Sequence, residues 1–281
     1  MQQQLVTVIC LCYNHERFVK EAIESVFQQT YPFIQLIVVD DASSDNSVTV
    51  IRNLLKDHPD VSFIYLKENV GNCKAFNKAL PLVKGDFIID LAADDVLLPD
   101  RIQEGVDDLQ TSGKDYGVHY SDAAIISEEG IFLCHHSDKF PHHTIPHGDI
   151  YKNLVERYFI CSPTVMYRRV VIEELNGYDE ALAFEDFDFW IRSSRKFKYV
   201  YSPVVLIKKR LVSNSMSQKQ FTRSGAQRWS TLAVCRKIKS LNKSEEENIA
   251  LKIRLRYELV LSLKLFDFKL AFQFFKLRMS L

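Results

Sequence analysis

The feature that most constrains this chain is an alternation over residues 5–101. Short apolar runs rich in Val and Ile occur at Leu5–Leu11, Gln35–Val39, Val61–Leu66 and Phe87–Leu91. They take turns with segments whose apolar residues recur at helical spacing. In Glu16–Gln29 the apolar positions are Phe18, Val19, Ala22, Ile23, Val26 and Phe27, which fall on one helix face. Ser44 or Asp45 can cap a second helix ending near Lys56, and a third runs from about Cys73 to Leu82. Strand alternating with helix predicts a doubly wound, mainly parallel α/β sheet.

Each apolar run ends in a polar turn: Tyr13-Asn14, Asp40-Asp41, Asn69 with Gly71, and Asp94-Asp95. In an open α/β sheet, ligands bind outside the carboxyl ends of the strands. The pattern therefore gathers Tyr13, Asp40, Asp41, Asn69, Gly71, Asp94 and Asp95 along one edge. Asp94 and Asp95 repel each other unless something positive lies near. A hard divalent cation shared with phosphate oxygens would serve, although adjacent acids are also common in solvated turns and helix caps. No GxGxxG or GxxxxGK[ST] loop occurs, which argues against dinucleotide oxidoreductases and P-loop enzymes.

Beyond residue 110 the pattern is sparser. Val118–Ile126, Phe159–Arg168 and Tyr199–Ile207 read as strands, and Arg169–Leu175 as a helix. The segment Cys134–Gly148 carries His135, His136, His142, His143 and His147. Their spacing matches no metal motif, so a loop is expected, with one imidazole still able to complete a metal's coordination. Glu185, Asp186 and Asp188 interleave with Phe187, Phe189 and Trp190. Acids there suit a helix N-terminus in any case.

The chain has 36 basic and 36 acidic residues, so no net field selects nucleic acid as a partner. Its 47% hydrophobic content is ordinary for a globular protein. Six cysteines without a CxxC pair suggest buried thiols in a reducing compartment. The opening MQQQLVTVIC lacks a basic region followed by a long apolar core, so neither a signal peptide nor a membrane span is expected.

At this point the sequence resembles the family 2 glycosyltransferases, inverting enzymes of the GT-A fold, over about residues 5–210. VTVICLCYN is like the family's opening strand, and VVDDASSDNS resembles its second strand and acidic turn. ENVGNCKAFNKAL is similar to the N-x-G-x-x-x-A-x-N helix start, and GDFIIDLAADDVLLPDR to the metal-bearing segment. NGYDEALAFEDFDFWIR looks like the Glu-Asp motif before the acceptor site. Each motif alone is weak; five in order are a strong signal.

The resemblance implies roles residue by residue. Tyr13 would stack beside the nucleotide base, and Asp41 would hydrogen-bond it, with Asp40 supporting the turn. Asn69, Gly71 and Lys74 would line the nucleotide pocket. Asp94, with Asp95 adjacent, would contact Mg²⁺ or Mn²⁺ on the diphosphate. Asp186 would be the catalytic base with Glu185 beside it, and Trp190 and Arg192 would shape the acceptor side. One departure stands out: Ala92 occupies the place of a further Asp that often completes an Asp-x-Asp.

The implied reaction moves a sugar from a UDP-, GDP- or dTDP-linked donor to a hydroxyl on a glycan or lipid-linked glycan, in polysaccharide or glycolipid biosynthesis. The rival readings are a nucleotidyltransferase and a non-catalytic sugar-nucleotide-binding or scaffold protein of the same fold. The expected organisation is a catalytic domain over 1–215, with a nucleotide-binding half (1–110) and an acceptor-side half (111–215), then a helical region over 216–281. In that last region Phe266, Phe268, Phe272, Phe274 and Phe275 alternate with Lys264, Lys269, Lys276 and Arg278. This composition suits peripheral contact with the inner face of the cell membrane by a cytoplasmic protein. Packing on the catalytic domain or across a dimer interface would account for it equally.

Overall fold

The computed structural model describes residues 4–140, 144–183, 185–212 and 225–281. His142 and His143 of the histidine segment lie outside them. The strands are β1 (Val6–Cys12), β2 (Ile34–Asp40), β3 (Ser62–Tyr65), β4 (Phe87–Ala92), β5 (Val96–Leu97), β6 (Tyr116–Ile126), β7 (Phe132–His135), β8 (Met166–Arg168) and β9 (Lys198–Arg210). They form one sheet in the order β3-β2-β1-β4-β8-β6-β9-β5, with β7 on β6. The pairs β1–β2, β1–β4 and β2–β3 are parallel, as the alternation requires. Antiparallel pairing begins where β8 meets β4, so the fold is mixed α/β.

β1 is buried at all seven positions, the expected state of a central strand covered on both faces. The helices between the first strands are α1 (Val19–Phe27), α2 (Ser47–Leu54) and α3 (Asn72–Ala79), followed by α4 (Arg101–Thr111). α1 buries Val19, Ala22, Ile23 and Val26, and α4 buries Ile102, Val106 and Leu109, in the same core as Val8, Val38 and Ile89.

Of the strand expected over Phe159–Arg168, only Met166–Arg168 pairs. Ser162–Thr164 forms a 3-10 turn instead, because Pro163 has no N–H to give a ladder. The expected helix α6 (Arg169–Leu175) is present with those bounds. Helix α5 (Tyr151–Glu156) and the short strands β5 and β7 were not anticipated.

The chain divides into two compact units. The first comprises Met1–Gly148, Ile160–Tyr178 and Phe197–Val212, and so holds the sheet. The second comprises Asp149–Phe159, Asp179–Lys196 and Ser213–Leu281. It holds α5, α7 (Glu185–Ser193), α8 (Ala226–Leu241), α9 (Glu245–Lys264) and α10 (Phe268–Met279). Its internal bolt is Arg254 of α9, a buried cation. The guanidinium lies 3.9 Å from the centre of the Tyr158 ring and 5.1 Å from that of Phe187, and donates to the Val155 carbonyl at 3.1 Å. One side chain thus fastens α9 to both α5 and α7.

Candidate active site

In the first unit the register brings the strand exits level: Cys12 pairs with Asp40, Leu11 with Ala92, and Asp40 with Tyr65. The polar turns predicted from the sequence therefore share one edge.

The exits of β1 and β2 are laced together. Asn14 sits in the left-handed region (φ 57°), and its side-chain oxygen accepts from the Ser44 N–H at 2.8 Å. The Asn14 and His15 N–H groups donate to the Ser43 and Ser47 hydroxyls, each at 2.9 Å. Asp45 accepts from the N–H of Glu16 at 3.0 Å and of Ser47 at 2.9 Å, holding the entry to α2. Tyr13, at the end of β1, is 46% exposed, so its ring is open to a flat ligand.

The two acids at the end of β2 are both occupied. Buried Asp40 accepts from the Ser43 N–H at 2.9 Å and the Ser43 hydroxyl at 2.6 Å, closing its own turn. Asp41 accepts from the N–H groups of Val70 and Gly71, both at 2.8 Å, so its carboxylate fixes the start of α3. The Asn69 amide donates to the Asp41 carbonyl at 3.3 Å. Gly71 has φ +86°, which an L side chain rarely adopts, and the space over its Cα is open. Lys74 is exposed one turn further along α3.

The two acids after β4 differ from each other. Asp95 is buried and accepts from the Arg210 N–H on β9 at 2.9 Å. Burial pushes its carboxyl above the usual range, the neighbouring Asp94 charge adds to this, and Lys209 and Arg210 oppose it. Asp94 keeps 14% of its side chain exposed, and the His15 ring nitrogen Nε2 lies 3.9 Å from its carboxylate. Arg210, which sequence reasoning missed, secures this turn. Its Nε donates to the Asp94 carbonyl and one terminal nitrogen to the Glu128 carbonyl, each at 3.0 Å. The other terminal nitrogen meets Glu21 on α1 at 2.5 Å.

A further link joins the third and fifth sequence motifs. The Asn77 side chain accepts from the Tyr178 N–H and donates to the Tyr178 carbonyl, both at 2.9 Å. A Cβ on Gly177 would lie 2.4 Å from the Asn77 side-chain oxygen, and Gly177 has φ +70°, so glycine is required there twice over. The Tyr178 hydroxyl then donates to Asp90 on β4 at 2.9 Å.

In the second unit, α7 carries the other predicted residues. Glu185 is buried and Asp186 half-buried in its first turn. Trp190 is buried. Arg192 is tied to Asp188 at 2.6 Å, with its guanidinium 5.4 Å from the centre of the Phe189 ring. Asp188 also receives Lys237 of α8 at 2.7 Å, and Lys237 reaches Asp179 at 2.6 Å.

All six cysteines are free. Burial pushes the Cys12 thiol up to about 12 and that of Cys161 to about 11, so neither is a nucleophile at neutral pH. Among the described residues no cluster of three His, Cys, Asp or Glu side chains stands ready as a metal cage. The donor set at the β4 exit still fits a hard cation of the magnesium type, which uses one or two carboxylates and completes its shell with water and substrate phosphate.

The family model for glycosyl transferase family 2 matches residues 7–175. The chain belongs to glycosyl transferase family 2. Among relatives of this glycosyltransferase is the uncharacterized glycosyltransferase MJ1057 of Methanocaldococcus jannaschii. It is 27% identical over 214 residues, 75% of this chain and 72% of that protein. The putative teichuronic acid biosynthesis glycosyltransferase TuaG of Bacillus subtilis is 26% identical over 218 residues, 77% of this chain and 83% of TuaG. Other relatives are longer: the chain spans 35% of an uncharacterized glycosyltransferase of Rickettsia felis, at 28% identity over 218 residues and 76% of this chain. Mannosyltransferase PcManGT of Pyrobaculum calidifontis, solved with GDP-Man and Mn²⁺, superposes with a TM-score of 0.67 and 16% identity. The match covers 94% of this chain and 76% of that one. The fold of this glycosyltransferase is thus of the GT-A type.

Proposed function

We propose that this glycosyltransferase transfers a sugar, with inversion, from a nucleoside diphosphate to a hydroxyl on a glycan or lipid-linked glycan. The observation that carries the reading is Asp94, a partly exposed carboxylate at the carboxyl edge of the parallel strands, on a turn braced by Asp95 and Arg210. Residues 1–110 would bind the nucleotide and 111–215 face the acceptor. Tyr13 stacks on the base, Asp41 meets its polar edge, Asp40 holds that turn, and Asn69, Gly71 and Lys74 line the remainder of the pocket.

Asp94, with Asp95 beside it, would hold Mg²⁺ or Mn²⁺ together with the donor's phosphate oxygens; such an ion supplies stabilisation of charge on the leaving diphosphate. Ala92 leaves that place with fewer protein carboxylates than an Asp-x-Asp would give. Asp186 accepts the proton of the acceptor hydroxyl, with Glu185 buried next to it, and Trp190 and Arg192 shape the acceptor side. TuaG is named for teichuronic acid biosynthesis and PcManGT was solved with GDP-Man, which supports a role in polysaccharide or glycolipid synthesis and a nucleotide-linked donor, here a UDP-, GDP- or dTDP-sugar. Six free thiols fit a cytoplasmic setting.

The test is a panel of UDP-, GDP- and dTDP-sugars with Mn²⁺ or Mg²⁺, read by release of nucleoside diphosphate. One donor should be hydrolysed slowly, and EDTA should stop it. NMR of the transfer product should show the inverted anomer. If no donor is bound or turned over with either metal, the reading fails.

A further inference from the structure

Helix α10 is apolar on both of its sides. Leu270, Ala271 and Phe274 are buried within the second unit. Phe268, Phe272, Phe275 and Met279, spaced i, i+4, i+7 and i+11, form a second stripe that faces outward, from 46% exposed at Phe275 to 66% at Met279. A surface helix ordinarily buries its one apolar stripe, yet this one carries a second that is bare. The outer face of α9 is similar: Ile249, Ile253, Tyr257, Val260 and Leu263 are all exposed. At the turn between the helices the rings of Phe266 and Phe268 lie 6.5 Å apart, edge to face, and carry the apolar surface across.

The first turn of α9 carries exposed Glu245 and Glu246, the latter paired with Lys152 at 2.9 Å, but from Ile249 onward the exposed charge on these faces has one sign. Arg256, Lys264, Lys269 and Lys276 are exposed and flank the two stripes. From Asn248 to Leu281 the acids are Glu258 and Asp267, and both are buried. Glu258 lies against Arg254 and Arg228, and Asp267 accepts from the Leu270 N–H at 3.1 Å as the cap of α10. No helix among the described residues is long and apolar enough to cross a membrane. Over the rest of α9 and all of α10, an apolar face flanked by exposed cations matches a surface that is apolar inside and anionic outside. A second copy of the same face would set lysine against lysine.

We propose that the outer faces of α9 and α10 dock on an anionic lipid bilayer. The aromatic stripe enters the boundary between headgroups and acyl chains, and Arg256, Lys264, Lys269 and Lys276 meet lipid phosphates. The surface lies wholly in the second unit and does not depend on the identity of the donor sugar.

The experiment is co-sedimentation of the full chain with vesicles of phosphatidylcholine alone and of phosphatidylcholine mixed with phosphatidylglycerol. The protein should pellet with the mixed vesicles, remain in solution with the neutral ones, and be released by added salt. The triple variants Lys264→Glu/Lys269→Glu/Lys276→Glu and Phe268→Ser/Phe272→Ser/Phe275→Ser should each lower partitioning at least ~10-fold. Circular dichroism checks that they fold. If a triple variant melts, the single changes Lys276→Glu and Phe272→Ser, both at exposed positions, must still lower binding measurably. The proposal is overturned if the native chain ignores both vesicle types, or if neutral and anionic vesicles pellet it equally. It is also overturned if sedimentation without lipid shows a dimer that the phenylalanine variant dissociates, since the face is then covered by a second copy.

Discussion

The strand exits of the first unit and helix α7 of the second are both crowded with acids, and the two regions hold them by different chemistry. At the exits, Asp40 and Asp41 accept from backbone N–H groups and one serine hydroxyl, and Asp94 keeps part of its side chain exposed. Neutral donors orient a carboxylate and leave its charge in place. On α7, Asp188 is gripped by Lys237 and Arg192, which cancel its charge. The contrast separates a rim that keeps a negative field from a scaffold that removes one. A rim of retained charge is what a bound cation needs, while a neutralised cluster beside Asp186 serves to hold the helix still.

The sharpest way to break the comparison lies within α7. Asp186→Asn should lower transfer by ~10²–10⁴-fold, the range for losing a positioned general base, with nucleotide binding and melting temperature nearly unchanged. Near-normal turnover would move the base role to Glu185 or Asp188. Asp188→Ala should do the reverse: a loss of ~1.5–3 kcal/mol in unfolding free energy by urea titration, the range for hydrogen bonds to charged groups. If Asp188→Ala left stability intact but stopped turnover, α7 would be a reaction site at Asp188 and the scaffold reading would fall.

Sequence reasoning reached much of the first unit because its signals are local. The apolar runs of β1, β2 and β4 and the face of α1 are periodic within one window, and α6 begins and ends as expected. The missed parts are of other kinds. β5 is two residues long, and Phe132 and Leu133 of β7 are exposed, so neither strand has a period to read. Arg210 meets Asp95 across 115 positions and Asn77 meets Tyr178 across 101, distances at which a single sequence carries no pairing signal. Of the two cations on Asp188, Arg192 stands four positions on in the same helix and could be read from the motif, whereas Lys237 comes from a separate helix 49 positions away and could not.

The rim offers the next test. Asp94→Ala should weaken metal-dependent donor binding by ~1–3 kcal/mol, the range for losing a partner to a charged group, and leave thermal unfolding alone. Titration calorimetry with the nucleotide, with and without Mn²⁺, reads the effect. If EDTA changes neither binding nor activity in the native chain, phosphate charge is met by Lys or Arg instead.

Asp41→Asn should have the smallest effect and probes the clamp most directly. The amide keeps the shape of the carboxylate but offers one acceptor oxygen where two N–H groups converge. Its NH₂ would then face the N–H of Val70 or Gly71, donor against donor, at a site now closed by two 2.8 Å bonds. The loss of one such bond in a part-buried turn costs ~1 kcal/mol. Urea titration should show that loss, and hydrogen exchange should quicken at Val70 and Gly71 ahead of the rest of α3. Should donor affinity fall while stability holds, Asp41 acts on the nucleotide alone and the start of α3 needs no clamp. The rim would then be held by Asp40 and Asp95 alone.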